Sequence, residues 1–308
     1  MPDVAAAERR LRDRIGPRVR SGFPLAPLTS FRIGGPAGIF IEAEDDRDLA
    51  IVAEVARATD TPVAVIGKGS NLLVSDEGFP GIVVRLGRGY RWASRESDLL
   101  TAGGAMPLPA LAGIALQHGL AGLEFGVAIP ATLGGAVRMN AGAHDRSMSD
   151  VLERIDLVSL TTGERASWAA ADAGFAYRRS RLPADAIVVA ATARLAPGPD
   201  AAIRERMEEA REWRRRTQPL AEPNCGSVFK NPSGDHAARL IEAAGAKGLR
   251  VGTAHVSEKH ANFIVADAGA TARDVVHVIR RVQELVSTHA GVRLETEVQL
   301  MGSFDDGR

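Results

Sequence analysis

Apolar and polar positions along residues 30–198 follow a pattern that predicts short strands separated by short helices. Apolar segments of strand length occur at residues 37–43, 62–66, 72–75, 81–86, 98–102, 155–160 and 186–195, and the segment at residues 62–66 predicts a buried strand. A helix with one apolar face is expected after Asp45 and Asp46, because either aspartate is a suitable N-cap. Residues 108–118 predict a second helix, which Gly119 ends as a C-terminal glycine.

The two ends of the chain add further elements. Residues 1–20 are charged and rich in alanine, and they predict a peripheral helix. Pro197-Gly198-Pro199 is the strongest boundary signal, and a charged helix is expected after it at residues 201–216. Thr271 and Asp274 have capping-box spacing at the start of an amphipathic helix, with Asp in place of the usual Glu or Gln. The remaining expected elements are a helix at residues 236–244 and strands at residues 262–266 and 294–300.

Composition limits the class of protein. Lys plus Arg and Asp plus Glu both number 38, so the formal net charge is zero, which argues against a general binder of nucleic acid or anionic membrane. Cys225 is the single cysteine, so an intramolecular disulfide and a thiolate-rich zinc site are both impossible. No apolar run approaches the roughly 18 residues that span a bilayer, and no signal-peptide pattern follows the charged N-terminus. We therefore expect a cytoplasmic protein.

Gly67-Lys68-Gly69-Ser70-Asn71 is the first candidate site. Glycines in a loop after a strand let backbone N–H groups approach a phosphate closely. The next residues are apolar and predict a strand, so the segment lacks the helix that a dinucleotide-binding fingerprint requires, and no P-loop motif is present. A tight β-turn explains the motif equally well.

A second glycine-rich run covers residues 122–143, which are mostly apolar and include five glycines. A backbone with so few side chains favours wrapping a flat ligand and hydrogen-bonding its phosphates. The alternative is tight packing of one backbone segment against another.

Gly226-Ser227 is a candidate for chemistry, because a serine after glycine and beside apolar residues can act as a nucleophile or a proton donor. Position 229 is Phe, so the Gly-x-Ser-x-Gly nucleophile elbow is not met. The nearby His236, His255 and His260 lie in no recognisable triad context. On the residues alone, a structural turn is the favoured interpretation.

Other polar groups are ambiguous in the same way. Arg178 and Arg179 are adjacent, as in many solvated surface pairs. Glu295 and Glu297 stand two positions apart, and on a strand their carboxylates share one face. The basic cluster formed by Arg211 and residues 214–216 either binds a diphosphate through bidentate hydrogen bonds or solvates the end of a helix.

Taken together, seven segments resemble one family, the UDP-N-acetylenolpyruvoylglucosamine reductases, over about residues 23–300. Each segment alone is weak, but all seven occur in the family's order. They are Leu28-Thr29-Ser30-Phe31-Arg32-Ile33-Gly34-Gly35, Gly67-Lys68-Gly69-Ser70-Asn71-Leu72-Leu73, residues 129–143, Tyr177-Arg178-Arg179-Ser180, residues 225–232, Ser257-Glu258-Lys259-His260-Ala261-Asn262-Phe263 and residues 294–298.

The resemblance implies an α+β fold. Its FAD-binding region is of the vanillyl-alcohol-oxidase (PCMH) type, made of two α+β subdomains and followed by an α+β substrate-binding domain. The expected segments are an N-terminal helix at residues 1–22, FAD-binding subdomains at residues 23–85 and 86–198, and a substrate-binding domain at residues 199–308. The chain lacks an insertion that supplies a tyrosine in part of the family, which indicates the shorter subtype.

The resemblance also implies the site residues. The catalytic residues are Arg178, Ser227 and Glu297. The substrate-binding residues are Tyr177, Arg214, Asn231, Lys259 and Glu295, with Lys259 expected at the diphosphate. The FAD-binding residues are Gly67, Lys68, Gly69, Ser70, Asn71, Leu72, Ile129, Pro130, Thr132, Gly134, Gly135, Ala136, Asn140, Ala141 and Gly142. No metal site is implied.

Two positions depart from the family's pattern. Position 131 is Ala where Gly is frequent, and this alanine is strained if the site requires a positive φ. Position 225 is Cys where Ala is commoner. We expect Cys225 to be a small packing residue rather than a nucleophile.

The implied reaction uses NADPH to reduce FAD, after which NADPH leaves and a UDP-sugar enolpyruvyl ether binds. Hydride then reaches the alkene carbon farther from the carboxylate, and negative charge spreads from the α-carbon into the carboxylate. Arg178 supplies a fixed cation, Glu297 contributes if it holds or shares a proton, and Ser227 protonates the α-carbon as general acid.

The implied partner is this small-molecule substrate. No nucleic acid, membrane insertion or obligate protein partner is expected. Three other functions stay open at this point: an oxidase of the same flavin fold acting on an alcohol or sugar, a flavin- or nucleotide-binding module without turnover, and a serine hydrolase that uses Ser227.

Overall fold

A computed structural model describes residues 2–304. Its helices are α1 Val4–Ile15, α2 Asp46–Thr59, α3 Leu108–Gln117, α4 Leu133–Arg138, α5 Asp200–Thr217, α6 Ala237–Ala243 and α7 Ala272–Ala290. The first nine strands are β1 Val19–Pro24, β2 Pro36–Ala43, β3 Val63–Val65, β4 Leu72–Val74, β5 Phe79–Leu86, β6 Ala93–Glu96, β7 Leu99–Gly103, β8 Leu120–Ala121 and β9 Gly142–Ala143. The other nine are β10 Arg146–Ser147, β11 Leu152–Ser159, β12 Arg165–Ala169, β13 Ala186–Arg194, β14 Ala196–Pro197, β15 Arg250–Val251, β16 Ala254–Val256, β17 Ile264–Ala266 and β18 Gln299–Met301.

The chain divides into two compact units. The first unit comprises the described residues up to Ser21, with Ile39–Lys68 and Gly81–Arg214. The second unit comprises Gly22–Gly38, Gly69–Pro80 and the described residues from Arg215 onward. The four-segment division expected from the sequence stays a prediction, and residues 1 and 305–308 of its outer segments lie outside the described residues.

The first unit contains a five-stranded antiparallel sheet in the order β12-β11-β13-β7-β6. Its central strand β13 is buried at every position except its last. Helices α3 and α4 pack against this sheet with Leu108, Leu111, Leu133 and Val137 in the shared core. A second core contains Leu11 of α1, Leu49 of α2 and Ile41 of β2. Strand β2 belongs to a four-stranded sheet in the order β1-β2-β5-β3.

The second unit contains an antiparallel sheet in the order β15-β16-β17 and a parallel pair formed by β4 and β18. Helix α7 covers its core with Val275, Val278 and Val282, all fully buried. The apolar period of this helix was evident in the sequence, and both hydrogen bonds of the predicted capping box between Thr271 and Asp274 are present. The predictions for α2, with Asp45 as N-cap, and for α5 are confirmed as well.

Four predicted elements were wrong in part. The N-terminal helix ends at Ile15, where Gly16-Pro17 stops it, rather than at residue 20. The segment at residues 62–66 is a short strand on the edge of its sheet, and Val65 is 41% exposed rather than buried. Residues 294–300 form only an isolated bridge at Thr296 before β18 begins, and the strand predicted at residues 262–266 begins only at Ile264.

The N-terminus of α7 predicts a specific stability effect. Asp76 accepts hydrogen bonds from Ala272 N–H at 2.7 Å and from Arg273 N–H at 3.0 Å, where no intrahelical acceptor exists. Asp76→Ala should therefore lower the free energy of unfolding by about 1 kcal/mol. Chemical denaturation followed by circular dichroism measures the change. Glu284→Ala, which removes an exposed ion pair with Arg281 on the same helix, is the control and should cost less than about 0.5 kcal/mol.

Candidate functional site

Gly67 lies beside Thr132 within the first unit. A Cβ atom added to Gly67 would stand 2.8 Å from Thr132 Oγ1, so no larger residue fits without a shift. Thr132 caps α4, and its Oγ1 accepts a hydrogen bond from Gly135 N–H at 3.3 Å. Two predicted FAD-binding segments, far apart in sequence, thus meet at these two residues.

The glycine-rich run at residues 122–143 is more regular than expected, since it forms a 3₁₀ helix at Glu124–Ala128 and then α4. Gly134 serves close backbone packing: an added Cβ would stand 2.9 Å from Val188 O and 3.2 Å from Gly104 O. Gly135 is exposed and lies on the open side of α4. Ala131 is not among the residues with positive φ, which explains why alanine is tolerated there. The run therefore combines backbone packing with an open face.

The loop after β3 has donors without acceptors. Within the described chain, no oxygen accepts a hydrogen bond from the N–H groups of residues 67–71, although Gly69 is buried. Gly69 has φ +60°, and an added Cβ would stand 2.2 Å from Leu28 O, so only glycine fits. Buried N–H groups are almost always paired, and an anionic ligand is a suitable partner for such a loop.

Asn71 makes a contact that the sequence did not indicate. Its side-chain Nδ2 donates to Glu297 O at 3.1 Å, and its own carbonyl accepts from Gln299 N–H at 3.0 Å. Both bonds lie within the second unit, where β4 and β18 pair in parallel. The predicted FAD-binding residue Asn71 therefore also holds the backbone of the predicted catalytic residue Glu297.

Arg178 lies in a loop of the first unit with its backbone in the left-handed region, at φ +52°. Its Nη2 donates to Gly142 O at 2.7 Å, and its guanidinium lies over the ring of Tyr177, 5.1 Å from the centroid. A non-glycine residue in this conformation is strained and persists where surrounding contacts hold it. The buried side chain of Asn140 donates to Ala176 O at 3.0 Å and supports the same loop.

Arg138, which sequence analysis missed, ties down the other end of this loop. Its guanidinium donates to Leu182 O and Pro183 O, both at 2.9 Å, and also to Ala186 O. Its own carbonyl accepts from Ser180 Oγ at 2.7 Å. Burial lowers the pKa of Arg138 from its ordinary value. An arginine at the end of a glycine-rich run was the only signal in the sequence.

Ser227 lies in the second unit, partly exposed, and follows a turn built by Asn224. Asn224 Oδ1 accepts from Gly226 N–H at 2.9 Å, and its Nδ2 donates to Pro219 O and Glu222 O. Gly226 has φ +79°. Val228 and Phe229, which follow Ser227, are fully buried. An asparagine side chain that accepts from the backbone N–H two residues on forms an Asx turn, and this signal was not used in the predictions from sequence.

The backbone of residues 295–298 pairs with the Ser227 segment. Glu297 N–H donates to Val228 O at 2.7 Å, and Lys230 N–H donates to Glu295 O at 2.9 Å. The two glutamates differ in their surroundings: the side chain of Glu295 is 73% exposed and forms an ion pair with Lys230, whereas Glu297 is partly buried. The structure thus brings Ser227 and Glu297 onto neighbouring backbone segments of one unit.

The predicted substrate-binding residues are placed as follows. Asn231 Oδ1 accepts from Ala237 N–H at 3.0 Å, at the start of α6. Lys259 is exposed, and its Nζ donates to Arg215 O at 2.7 Å. Arg214 lies in α5 of the first unit, where burial lowers its pKa. Tyr177 is 53% exposed.

Cys225 is buried with an exposed fraction of 3%, and burial together with the charge of Glu297 raises the pKa of its thiol. A thiol reagent at pH 8 should therefore react slowly with the native protein and rapidly after denaturation. Because the folded pKa is raised, the thiol's contribution to stability is complete below the unfolded pKa of about 8.5 and falls at higher pH. Fast labelling of the native protein would contradict a packing role for Cys225.

The described residues show neither a metal cluster nor a membrane-spanning helix. No three His, Cys, Asp or Glu side chains in residues 2–304 are arranged to hold a metal ion. No helix in that range is long and apolar enough to cross a membrane. The first unit also has an open cavity of about 450 Å³, lined by Glu44, Trp92 and Arg165 among others, but none of the predicted site residues lines it.

FAD is the cofactor that the resemblance implies, and the residues present fit it. The unpaired N–H groups of residues 67–71 suit the oxygens of a diphosphate, and the contact of Gly67 with Thr132 leaves no room for a larger side chain at position 67. Gly135, Ala141 and Gly142 are further small residues that are not buried, whereas Ala136 is fully buried in the core of the first unit. The backbone of this region thus has the character that a flat, anionic cofactor requires.

Comparisons with known proteins agree over nearly the whole chain. A family model described as "FAD binding domain" matches residues 37–167, and one described as "UDP-N-acetylenolpyruvoylglucosamine reductase, C-terminal domain" matches residues 218–301. The UDP-N-acetylenolpyruvoylglucosamine reductase of Anaeromyxobacter dehalogenans (strain 2CP-C) is 45% identical over 95% of this chain and 90% of its own. The protein named UDP-N-acetylenolpyruvoylglucosamine reductase 2 of Symbiobacterium thermophilum is 46% identical over 92% of each chain.

Solved structures show the same relationship. The crystal structure of UDP-N-acetylenolpyruvylglucosamine reductase from Thermus caldophilus has a TM-score of 0.81 and 38% identity, and the match covers 92% of this chain and 99% of that one. A Phl p 4 variant, titled a glucose oxidase, has a TM-score of 0.52 at 14% identity and covers 94% of this chain and 63% of its own, which shows a shared fold alone. The predicted α+β fold with a vanillyl-alcohol-oxidase-type FAD-binding region is confirmed. The chain belongs to the UDP-N-acetylenolpyruvoylglucosamine reductase family.

Proposed function

We propose that this protein is an NADPH- and FAD-dependent oxidoreductase that reduces the enolpyruvyl ether of UDP-N-acetylglucosamine-enolpyruvate to UDP-N-acetylmuramate. Family membership over nearly the full length of the chain is the observation on which this proposal depends. The fold is shared with oxidases, but at 14% identity that likeness supports no oxidase activity. The oxidase and the non-catalytic flavin module are therefore not favoured.

The catalytic roles we propose follow from where charge develops. FAD, when bound, supplies the hydride that it has taken from NADPH to the alkene carbon farther from the carboxylate. Arg178 stabilises the negative charge that then spreads into the substrate carboxylate, because a guanidinium is a fixed cation that presents paired donors. Ser227 gives a proton to the α-carbon as general acid, and Glu297 assists by holding or sharing a proton.

Cofactor binding is proposed at the two glycine-rich segments. Backbone atoms of Gly67, Lys68, Gly69, Ser70, Asn71 and Leu72 would hold the diphosphate of FAD. The second segment would contribute Ile129, Pro130, Thr132, Gly134, Gly135, Ala136, Asn140, Ala141 and Gly142. The amide side chains of Asn71 and Asn140 already bind protein carbonyls, so we propose that these two residues act through their backbone or as supports.

Substrate binding is proposed at Tyr177, Arg214, Asn231, Lys259 and Glu295. Cationic Arg214 and Lys259 suit a nucleoside diphosphate, and an asparagine amide suits neutral hydroxyl and amide groups of a sugar. Reduction of this substrate is a step of peptidoglycan precursor synthesis, so we also propose links to cell-wall biogenesis, cell shape and cell division. We propose a cytoplasmic location, and a small molecule as the partner rather than a nucleic acid, a membrane or an obligate protein.

One experiment tests this function directly. The purified protein should be yellow, its flavin absorbance should fall when NADPH is added without oxygen, and the absorbance should return when the enolpyruvyl substrate follows. An oxidase would instead be reduced by an alcohol or sugar. A yellow protein whose reduced flavin is not reoxidised by the enolpyruvyl substrate would overturn the proposal in favour of a non-catalytic module.

The two glutamates provide a matched comparison. Glu297→Gln should slow flavin reoxidation at saturating substrate by about 100-fold, because glutamine cannot supply the shared proton. Glu295→Gln should change the saturating rate only a few-fold, because that exposed side chain is paired with Lys230, although the half-saturating substrate concentration can shift. Stopped-flow absorbance measures both rates. An unchanged rate in Glu297→Gln would transfer the role to Glu295.

A further inference from the structure

Asn262 makes a hydrogen-bonded clamp on the segment that follows Ser227. Its Oδ1 accepts from Phe229 N–H at 2.9 Å, and its Nδ2 donates to Phe229 O at 2.8 Å. Its backbone carbonyl also accepts from Val228 N–H at 2.9 Å. The side chain is buried, with 4% of its surface exposed. Three hydrogen bonds from one residue thus fix the two residues after Ser227.

An asparagine side chain is suited to this contact because its amide presents one acceptor and donors side by side, as a peptide group does. It pairs with the N–H and the carbonyl of Phe229 as a neighbouring strand would. Aspartate keeps the acceptor but loses the donor, and leucine loses both. Burial of an unpaired backbone group is costly, so no substitution preserves the clamp without loss.

The clamp is itself held in place. Asn262 N–H donates to His260 Nδ1 at 3.2 Å, which requires this nitrogen to be unprotonated. Burial lowers the pKa of His260 and favours its neutral form. Phe263 N–H donates to His260 O at 2.9 Å, and Ser257 N–H donates to Phe263 O at 2.8 Å. Asn262 is therefore positioned by a closed turn rather than by its own packing alone.

The opposite side of the Ser227 segment is paired with the chain around Glu297. Val228 O accepts from Glu297 N–H at 2.7 Å, and Phe229 forms a bridge with Thr296. The backbone of residues 228–229 is thus bound on one side by Asn262 and on the other by the segment of the second proposed catalytic residue. A change at Asn262 would release one side only and let the backbone beside Ser227 shift relative to Glu297.

We propose that Asn262 is a positioning residue that sets the place of the Ser227 hydroxyl through its clamp on Val228 and Phe229. The inference rests on the proposed role of Ser227 as proton donor. A displacement of about 1 Å in a reacting group costs about 100-fold in rate. We expect Asn262 to affect protonation of the α-carbon and not to affect the reduction of flavin by NADPH.

The test is a double-mutant cycle on the flavin-loaded enzyme. Asn262→Asp should slow single-turnover reoxidation by the enolpyruvyl substrate by about 100-fold and change flavin reduction by NADPH less than about 3-fold. In a Ser227→Ala background the same substitution should slow reoxidation little further, because its effect passes through the missing hydroxyl. Equal slowing in both backgrounds would overturn the proposal.

A second readout does not depend on activity. Hydrogen–deuterium exchange of the flavin-free protein should rise at residues 227–230 in Asn262→Ser, because the shorter side chain cannot accept from Phe229 N–H as Asn262 Oδ1 does, while Asp76→Ala leaves this peptide unchanged. Unchanged exchange in Asn262→Ser would contradict the clamp. If Asn262→Asp does not fold, Asn262→Ser, whose smaller side chain leaves room for water, replaces it, and the same outcomes decide.

These results separate the two proposals. If the wild-type protein does not turn over the enolpyruvyl substrate, the proposed function fails. If the wild type turns over and Ser227→Ala is slow, but Asn262→Asp and Asn262→Ser reoxidise as fast as wild type, only the positioning role fails.

Discussion

Replacement of Ser227 by alanine should slow flavin reoxidation by the enolpyruvyl substrate by about 10²- to 10⁴-fold, while reduction by NADPH stays fast. The α-carbon becomes negatively charged as hydride arrives at its neighbour, and without a positioned acid the proton must come from water. Ser227 is partly exposed, and its backbone is held by Asn224 before it and by paired segments after it. Single-turnover stopped-flow absorbance resolves the two half-reactions.

Cys225→Ala is the matched control for this variant. Its side chain is buried two positions before Ser227, and the change removes one sulfur atom without touching the turn. Both half-reactions should stay within about 3-fold of wild type, because the raised pKa keeps this thiol neutral and unreactive. Undiminished reoxidation in Ser227→Ala would remove the proton-donor role, and slow reoxidation in Cys225→Ala would point to general damage of the turn.

Arg178→Met should lower kcat/KM for the enolpyruvyl substrate by about 10²- to 10³-fold, the range seen when one donor to a developing negative charge is lost. The loop is held by the Arg138 and Asn140 contacts, so removal of the guanidinium should leave its fold intact. Steady-state kinetics with varied substrate, together with the rate of flavin reduction, measures the effect.

Two further variants sharpen this result. Arg179→Met removes the exposed neighbour, whose backbone pairs with Ala176, and should leave kcat/KM nearly unchanged. Arg178→Lys keeps the charge but loses the paired donors, so its kcat/KM should lie between those of wild type and Arg178→Met. Equal losses in Arg178→Met and Arg179→Met would show that the loop needs net positive charge rather than one positioned guanidinium.

In the second unit, the residues proposed to react are different from the residues that hold the backbone in place. Asn224, Asn262 and Asn71 each use a side-chain amide to bind backbone near Ser227 or Glu297. The amides provide paired donors and acceptors that are neutral, so they fix the backbone without adding charge to the site. The proposed chemistry therefore depends on a framework of hydrogen bonds as much as on the reacting groups.

Local patterns made much of the fold predictable. The capping box at Thr271 and Asp274, the N-cap at Asp45 and the apolar period of α7 were evident in the sequence because they depend on residues a few positions apart. The family resemblance supplied the fold and the function, since it depends on the order of short motifs. The roles of Arg178, Ser227 and Glu297 were taken from that resemblance and stay predictions.

Other features depended on pairing between distant segments and could not be found locally. Residues 294–298 were predicted to be part of a strand. Their backbone instead forms an isolated bridge, in which Glu295 and Glu297 pair with Lys230 and Val228. Val65 proved exposed in a strand that lies at a sheet edge, and edge position is a property of topology rather than of composition.

The sequence by itself determined the family, the cofactor, the long helices and the absence of an intramolecular disulfide, because each follows from composition, local period or motif order. Only the tertiary structure decided that Asn262 holds Phe229, 33 positions away, and that Asn71 holds Glu297, 226 positions away. The same holds for Arg138 and the carbonyls of its loop. A hydrogen bond between distant residues depends on how the whole chain is arranged, and no local property of either partner encodes it.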